Sequence, residues 1–428
     1  MSEKILKPLN TNLSGEIIIP GDKSVSHRSV IFGSLARGIT KVANFLDGED
    51  CFRTVNVFRE MGVTIQVDGT NLTIESKGFK NLMEPSQPLN LGNSGTTTRL
   101  MLGILAGLPF FTTAYGDASL SKRPMDRVVN PLRQMGANID GRNNGNLLPL
   151  SIRGSKLNSI DYTLPVKSAQ VKSAILLAGL LAKGRTSVTE KIPTRDHTEN
   201  MLKAFGADII TDGHTTSISG RNELTATDVY VPGDISSAAF FLVAGAIVPG
   251  SRLKLKNVGL NKSRTGVIEV LQSMGADLII DNENTIGGEV IGDIQISFGT
   301  LKGITIEGNI IPRLIDEIPI IALLATQAEG TTVIKDAEEL RVKETDRIDA
   351  VTDVLTTLGA SITPTEDGMI IKGKTPLNGG KVASYDDHRI AMMGAIASLI
   401  TKDEVIIDDI SCISISYPDF FKDLKSLY

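Results

Sequence analysis

The sequence predicts an α/β protein of two similar lobes, each built from three repeats with sheets outside and helices inside. Three observations lead there. A helical apolar pattern that ends in a Gly-containing turn and runs into a β-like stretch occurs as VFREMGVTI, PLRQMGANI, MLKAFGADI, VLQSMGADL and VLTTLGASI. Its glycines are Gly62, Gly136, Gly206, Gly275 and Gly359, placed where a helix C-terminus favours positive φ. Between these lies a second phrase, an apolar helix, a turn and a strand: SVIFGSLARGITKV, LMLGILAGLPFFT, AILLAGLLAKGRTSV, FFLVAGAIVPGSRLKL, IIALLATQAEGTTVI and IAMMGAIASLITKDEVII. The repeat is therefore about 70 residues long. The second-phrase helices are apolar nearly all round, so they belong inside and the sheets outside. Six such units exceed one core, and three per lobe is the natural division.

The chain ends on FFKDLKSLY, a sixth first-phrase helix cut off before its strand, and the N-terminal GEIIIPGDKS is expected to supply that strand. The lobes then divide near residues 21 and 235, with residues 1–21 and 236–428 in one, 22–235 in the other, and the ligand site in the cleft between them. No Pro/Gly/Ser-rich linker, charge block or low-complexity tract appears, so both crossings should be short hinges.

Composition sets the class of partner. Of 428 residues, 41% are hydrophobic but only 4% aromatic, with no Trp and 41 Gly, so aliphatic and small residues must form the core. The net charge of −5 argues against a general nucleic-acid or anionic-membrane binder. The longest apolar run, Ala238 to Val248, is too short to span a bilayer. Met1-Ser-Glu-Lys opens no signal-peptide core, and Cys51 and Cys412 make no disulfide framework; a cytoplasmic protein is expected.

The chemistry concentrates just before the apolar helices, in Gly21-Asp-Lys-Ser-Val-Ser-His-Arg28, Gly92-Asn-Ser-Gly-Thr-Thr-Thr-Arg99, Val166-Lys-Ser-Ala-Gln170, Pro232-Gly-Asp-Ile-Ser-Ser237, Leu314-Ile-Asp-Glu317 and Tyr385-Asp-Asp-His-Arg389. Helix N-termini present unpaired N–H groups and a positive dipole end, and several converging would bind an anion strongly. Cations crowd the same places: Lys23, Arg28, Arg99, Lys167 and Arg389, with Arg123, Arg195, Lys343 and Arg347 at the starts of first-phrase helices. On an acidic chain this points to a small polyanionic ligand, held bidentately where Arg is used. Asp316 and Glu344 sit among the cations and are candidates for proton transfer.

Each motif alone also reads as structure: a capped helix, a tight turn at Gly92-Asn-Ser-Gly-Thr, or a solvated face at RVKETDR where Lys343 and Arg347 would repel unless an anion lay between them. Asp386-Asp-His388 lacks a second His at ligand spacing, so no metal is expected. His27, His197 and His214 read as structural or surface residues. No GxGxxG, GxxxxGK[ST] or GxSxG occurs.

GDKSVSHR, LGNSGTTTRLMLGILAG, SKRPMDRVVNPL, LPVKSAQVKSAILLAGL, RVKETDRI and DDHRIAMM, in order through the whole chain, resemble the 5-enolpyruvylshikimate-3-phosphate (EPSP) synthase family, and the KSAQ form is similar to its class II members. The resemblance implies two lobes of three βαβαββ units, an inside-out α/β barrel. It also implies transfer of the enolpyruvyl group of phosphoenolpyruvate to the 5-hydroxyl of shikimate 3-phosphate, with release of phosphate, in the shikimate pathway to chorismate and the aromatic amino acids.

Carried over motif by motif, Lys23, Ser24, Arg28, Ser168, Ala169 (through its backbone), Gln170, Arg195, Asp316 and Lys343 would hold shikimate 3-phosphate. Lys23, Asn93, Gly95, Arg123, Gln170, Arg347 and Arg389 would hold phosphoenolpyruvate. Asp316 would take the 5-hydroxyl proton, while Glu344 and Lys23 would serve the methylene carbon and the departing phosphate. The resemblance further implies no metal or organic cofactor, inhibition by glyphosate and a monomer. Two positions depart from the family pattern: Glu339 stands where many members have Asn, and Ile415 where many have Lys. The rival within this fold transfers enolpyruvyl to UDP-N-acetylglucosamine and uses a Cys in the loop that here reads Gly116-Asp-Ala-Ser-Leu-Ser-Lys-Arg-Pro.

Overall fold

Six apolar segments become the helices Lys23–Leu35, Gly95–Leu105, Ala169–Leu181, Ile235–Ile247, Ile318–Thr326 and His388–Ala397 in the computed structural model, which describes residues 2–286 and 288–428. The chain divides into two compact units, Lys23–Val231 and the remainder, residues up to Asp22 with Pro232–Tyr428. The divisions expected near 21 and 235 differ from these by a few residues because Gly233 already bridges Gly21 and Val258 before the Ile235–Ile247 helix begins.

Lys23–Val231 contains three sheets. Each four-stranded sheet follows one rule: the first strand runs parallel to the second, and the fourth lies antiparallel between the second and the third. In the middle repeat Leu89 pairs with Ala114 in parallel, while Phe111 and Asn138 both face Arg153 antiparallel. The first repeat takes its leading strand from the end of the unit, where Leu224–Thr225 and Val229–Tyr230 run parallel to Ala36–Ala43. Between sheet and sheet lie the apolar helices. Ala169–Leu181 packs on Gly95–Leu105 so closely that a Cβ on Gly103 would stand 2.1 Å from the Ala174 carbonyl oxygen, a contact only glycine permits.

In the other unit all thirteen residues of Ile235–Ile247 are buried, and this helix contacts both Ile318–Thr326 and His388–Ala397. Each fully buried Leu, Ile or Phe contributes about 1.5–3 kcal/mol, so such helices cannot face water. The amphipathic helices Glu49–Glu60, Asp126–Gln134, His197–Ala204, Gly266–Ser273 and Arg347–Thr357 each end at an expected glycine, with φ between 85° and 96°.

One expectation is corrected. The strand missing from the sixth repeat is Lys4–Leu6, antiparallel to Val405–Ile407, not the GEIII segment. Ser14–Ile18 instead pairs in parallel with Arg252–Gly259, as the leading strand of the fourth repeat. The missing strand must run antiparallel to its neighbour, and a leading strand parallel; the two short N-terminal strands divide those roles. The truncated repeat is secured by rings: Phe420 packs on Phe240, Phe241 and Tyr417 with centroids 5.6–6.2 Å apart. No helix among the described residues is long and apolar enough to cross a membrane.

Candidate active site

The sequence-predicted groups fall into two sets, one on each unit. Within Lys23–Val231, Lys23 opens its helix and pairs with Asp50 at 2.5 Å, with both side chains largely buried. One turn on, the buried Arg28 guanidinium donates from Nε to Thr198 Oγ1 at 2.7 Å, and from its terminal nitrogens to the Ser24 carbonyl at 3.0 Å and Ser173 Oγ at 3.1 Å. His27, fully buried, joins a hydroxyl chain through Thr54 and Thr97 to the N-cap Ser94, which is a structural use of the ring.

Gly95 starts the next apolar helix, capped by Ser94. Arg123 donates to Asn93 Oδ1 at 2.6 Å, and Asn93 Nδ2 donates to Asp117 at 2.7 Å, so Arg, Asn and Asp form one chain. Arg99 donates to Gln170 Oε1, and Gln170 Nε2 donates to Thr96 Oγ1 at 2.9 Å. Gln170 sits in the first turn of Ala169–Leu181, whose N-cap is Ser168. Arg195 is half-buried in the irregular stretch before His197–Ala204. Two helix N-termini and the guanidinium groups of Arg99 and Arg123 therefore surround Gly95, where a Cβ would stand 3.1 Å from Arg123 and 3.6 Å from Arg99. Such a place suits a small anion.

On the other unit a carboxylate stands among the cations. Asp316 Oδ1 accepts from Lys343 Nζ and from Arg347, each at 3.2 Å. The anion that separates Lys343 from Arg347 is thus part of the protein, and the two cations do not share one helical face: Lys343 ends a short 3-10 turn, while Arg347 begins its helix. Arg347, with its side chain 1% exposed, also binds Asp387 Oδ2 at 2.8 Å and Glu344 Oε2 at 2.7 Å. Burial opposes its charge, but Asp387, Glu344 and Asp316 outweigh burial and push its pKa up. Asp387, fully buried, also caps His388–Ala397 by accepting from Arg389 N, which commits both its oxygens. Arg389 donates to the Asp316 carbonyl at 2.9 Å and so turns its guanidinium towards the same cluster.

Sequence reasoning missed Arg264. It is buried and binds Asp22 at 3.0 Å, Asp234 at 3.2 Å and Ser236 Oγ at 2.7 Å. Ser236 in turn donates to the buried Glu317. Burial counts most against the Arg264 charge, but Asp22 and Asp234 outweigh it and raise its pKa. A signal existed: Arg264 precedes its amphipathic helix just as Arg123, Arg195 and Arg347 precede or open theirs. Of the two departures, Ile415 packs against the apolar core of its unit, and Glu339 is half-buried in the turn before Lys343.

The model of the family described as EPSP synthase (3-phosphoshikimate 1-carboxyvinyltransferase) matches residues 9–424. A 3-phosphoshikimate 1-carboxyvinyltransferase of Oceanobacillus iheyensis is 66% identical over 427 residues, covering 100% of both chains. A solved EPSP synthase structure from Acinetobacter baumannii superposes with a TM-score of 0.88 at 48% identity, covering 99% of this chain and 98% of that one. The enolpyruvyl transferase NikO from Streptomyces tendae, at 18% identity and a TM-score of 0.78 over 99% of this chain and 97% of its own, shares the inside-out α/β fold.

Proposed function

Because the chain belongs to the EPSP synthase family, we propose how its groups divide the family's reaction. The enzyme is a transferase that moves the enolpyruvyl group of phosphoenolpyruvate to the 5-hydroxyl of shikimate 3-phosphate and releases phosphate, a step of the shikimate pathway. The observation that carries the assignment is the Asp316 carboxylate, held by Lys343 and Arg347 next to Glu344 and Arg389.

Lys23, Ser24, Arg28, Ser168, the Ala169 backbone, Gln170 and Arg195 bind shikimate 3-phosphate, with Asp316 and Lys343 reaching its 5-hydroxyl. Asn93, Gly95, Arg123 and Gln170, with Lys23, Arg347 and Arg389, bind phosphoenolpyruvate. Asp316 accepts the 5-hydroxyl proton as the oxygen attacks C2 of phosphoenolpyruvate, and the methylene carbon takes a proton from Glu344 or Lys23. The tetrahedral ketal then returns a proton of its new methyl group to that same residue as the C–O bond to phosphate breaks, the double bond re-forms and phosphate leaves. Without counter-charge two phosphorylated anions repel each other; fixed guanidiniums and helix N-termini supply that charge at no reorganisation cost. Phosphoenolpyruvate is already activated, so the reading needs no metal or organic cofactor. The loop before Arg123-Pro124 has no Cys, which disfavours the UDP-N-acetylglucosamine reaction. We read the protein as a cytoplasmic monomer.

Phosphate release that requires both substrates tests the activity. Glu344→Gln should cut that rate about a hundredfold, the usual scale for losing a general acid–base group; an unchanged rate would remove Glu344 from the chemistry. At Gly95 an added methyl must displace Arg123 by a few tenths of an ångström. Gly95→Ala should therefore raise KM for phosphoenolpyruvate about tenfold while leaving KM for shikimate 3-phosphate within about twofold. Glyphosate, as a phosphoenolpyruvate competitor, should lose potency in the same variant. Equal effects on both KM values would place Gly95 elsewhere.

A further inference from the structure

We infer that Lys172, through Glu190 and Glu199, is a positioning residue that fixes Arg195 for shikimate 3-phosphate; this rests on the reading of Arg195 given above. Arg195 lies in a stretch, residues 190–196, with neither helix nor strand. Past Glu190, whose N–H donates to the His214 carbonyl at 2.9 Å, the stretch belongs to no strand ladder, and side chains help to place it. Lys172, one turn into Ala169–Leu181, places its ammonium 2.8 Å from Glu190 Oε2 and 2.6 Å from Glu199 Oε1. The three side chains are 2%, 8% and 8% exposed. The other oxygen of Glu190 accepts from Thr194 N at 3.1 Å and Thr194 Oγ1 at 2.5 Å. One cation thus ties the residue before Arg195, and the helix after it, to the helix that begins at Ser168, Ala169 and Gln170.

A second tie runs parallel to the first. Ser173 Oγ meets Thr198 Oγ1 at 2.6 Å, and Arg28 donates to both hydroxyls. The proposed shikimate 3-phosphate ligands Arg28, Ser168, Gln170 and Arg195 are accordingly linked through six buried neighbours: Lys172, Ser173, Glu190, Thr194, Thr198 and Glu199. If these groups served stability alone, apolar side chains of similar volume would serve about as well, because burying three charges costs much of what their attraction returns. What the charged cluster adds is direction: a lysine between two carboxylates allows one placement of the loop. Burial raises the Glu199 carboxyl above its ordinary range against the pull of Lys172, which fits a cluster with one cation for two acids.

The test is steady-state kinetics and direct shikimate 3-phosphate binding for Lys172→Met, Lys172→Arg and Thr194→Val, with melting temperatures alongside. Lys172→Met is expected to raise KM and Kd for shikimate 3-phosphate about tenfold and to leave KM for phosphoenolpyruvate within about twofold, with Lys172→Arg recovering part of the loss. Should Lys172→Met not fold, Thr194→Val removes only the hydroxyl tie to Glu190 and should still weaken shikimate 3-phosphate binding severalfold. A lowered melting temperature with unchanged shikimate 3-phosphate affinity in Thr194→Val and Lys172→Met would overturn the inference. Arg195→Ala separates the two layers of the reading. If it fails to weaken shikimate 3-phosphate, the assignment of Arg195 falls; if it weakens binding while Lys172→Met and Thr194→Val do not, the clasp alone falls.

Discussion

Asp316→Asn should lower kcat by about 10²–10⁴-fold, the range measured when a positioned general base is lost, which is roughly 3–5 kcal/mol of transition-state stabilisation. Asn keeps the shape and can still accept from Lys343 and Arg347, but it cannot take the 5-hydroxyl proton. Arg347 retains Asp387 and Glu344 in that variant, and the Lys343 side chain is 27% exposed, so neither cation is stranded. The melting temperature should accordingly move little. Phosphate release and a thermal melt on the same preparation decide it; a kcat within tenfold of the parent enzyme would leave Asp316 a binding group only.

Arg347→Met should act through stability as much as through catalysis. Arg347 is the counter-ion of Asp387, which has no exposed side-chain surface, and of Glu344 and Asp316. Breaking a buried pair by removing one partner costs about 3–5 kcal/mol because the other charge stays behind. For a unit of this size each kcal/mol lowers Tm by about 2–4 °C, so calorimetry should show a fall of roughly 10 °C. Arg347→Lys should recover only part, since one ammonium cannot reproduce a guanidinium that spans three carboxylates. The double variant Arg347→Met with Asp387→Asn should be more stable than Arg347→Met alone, because Asn can still cap His388–Ala397 and no buried charge is orphaned. A melting temperature unchanged in Arg347→Met would refute the account.

The repeat was legible because it rests on short-range rules. Gly136 and Gly275 mark helix ends through φ alone, and AILLAGLLA is apolar on every face whichever partner it meets. The helix starts were legible as well: Ser94, Ser168 and Asp387 cap these helices, inside motifs that read as polar helix-start sequences. What escaped was pairing. Nothing in GEIII says which sheet it joins, and the strand completing the last repeat turned out to be Lys4–Leu6. RVKETDR shows two cations four apart but not that Asp316, some thirty residues earlier, lies between them. The sequence shows Arg264 only as a cation before a helix and Lys172 only as one residue of an apolar one; burial with Asp22, Asp234, Glu190 and Glu199 shows their use.

The amino-acid order by itself determined the class of fold, the number of repeats, the family and the helix starts at which the cations gather, because periodicity, capping and glycine conformation act within a few residues. Tertiary structure alone decided which carboxylate neutralises which cation and which strand closes which sheet. Those outcomes depend on distances between groups far apart in the chain, and a buried charge takes whichever partner the packing brings within about 3 Å.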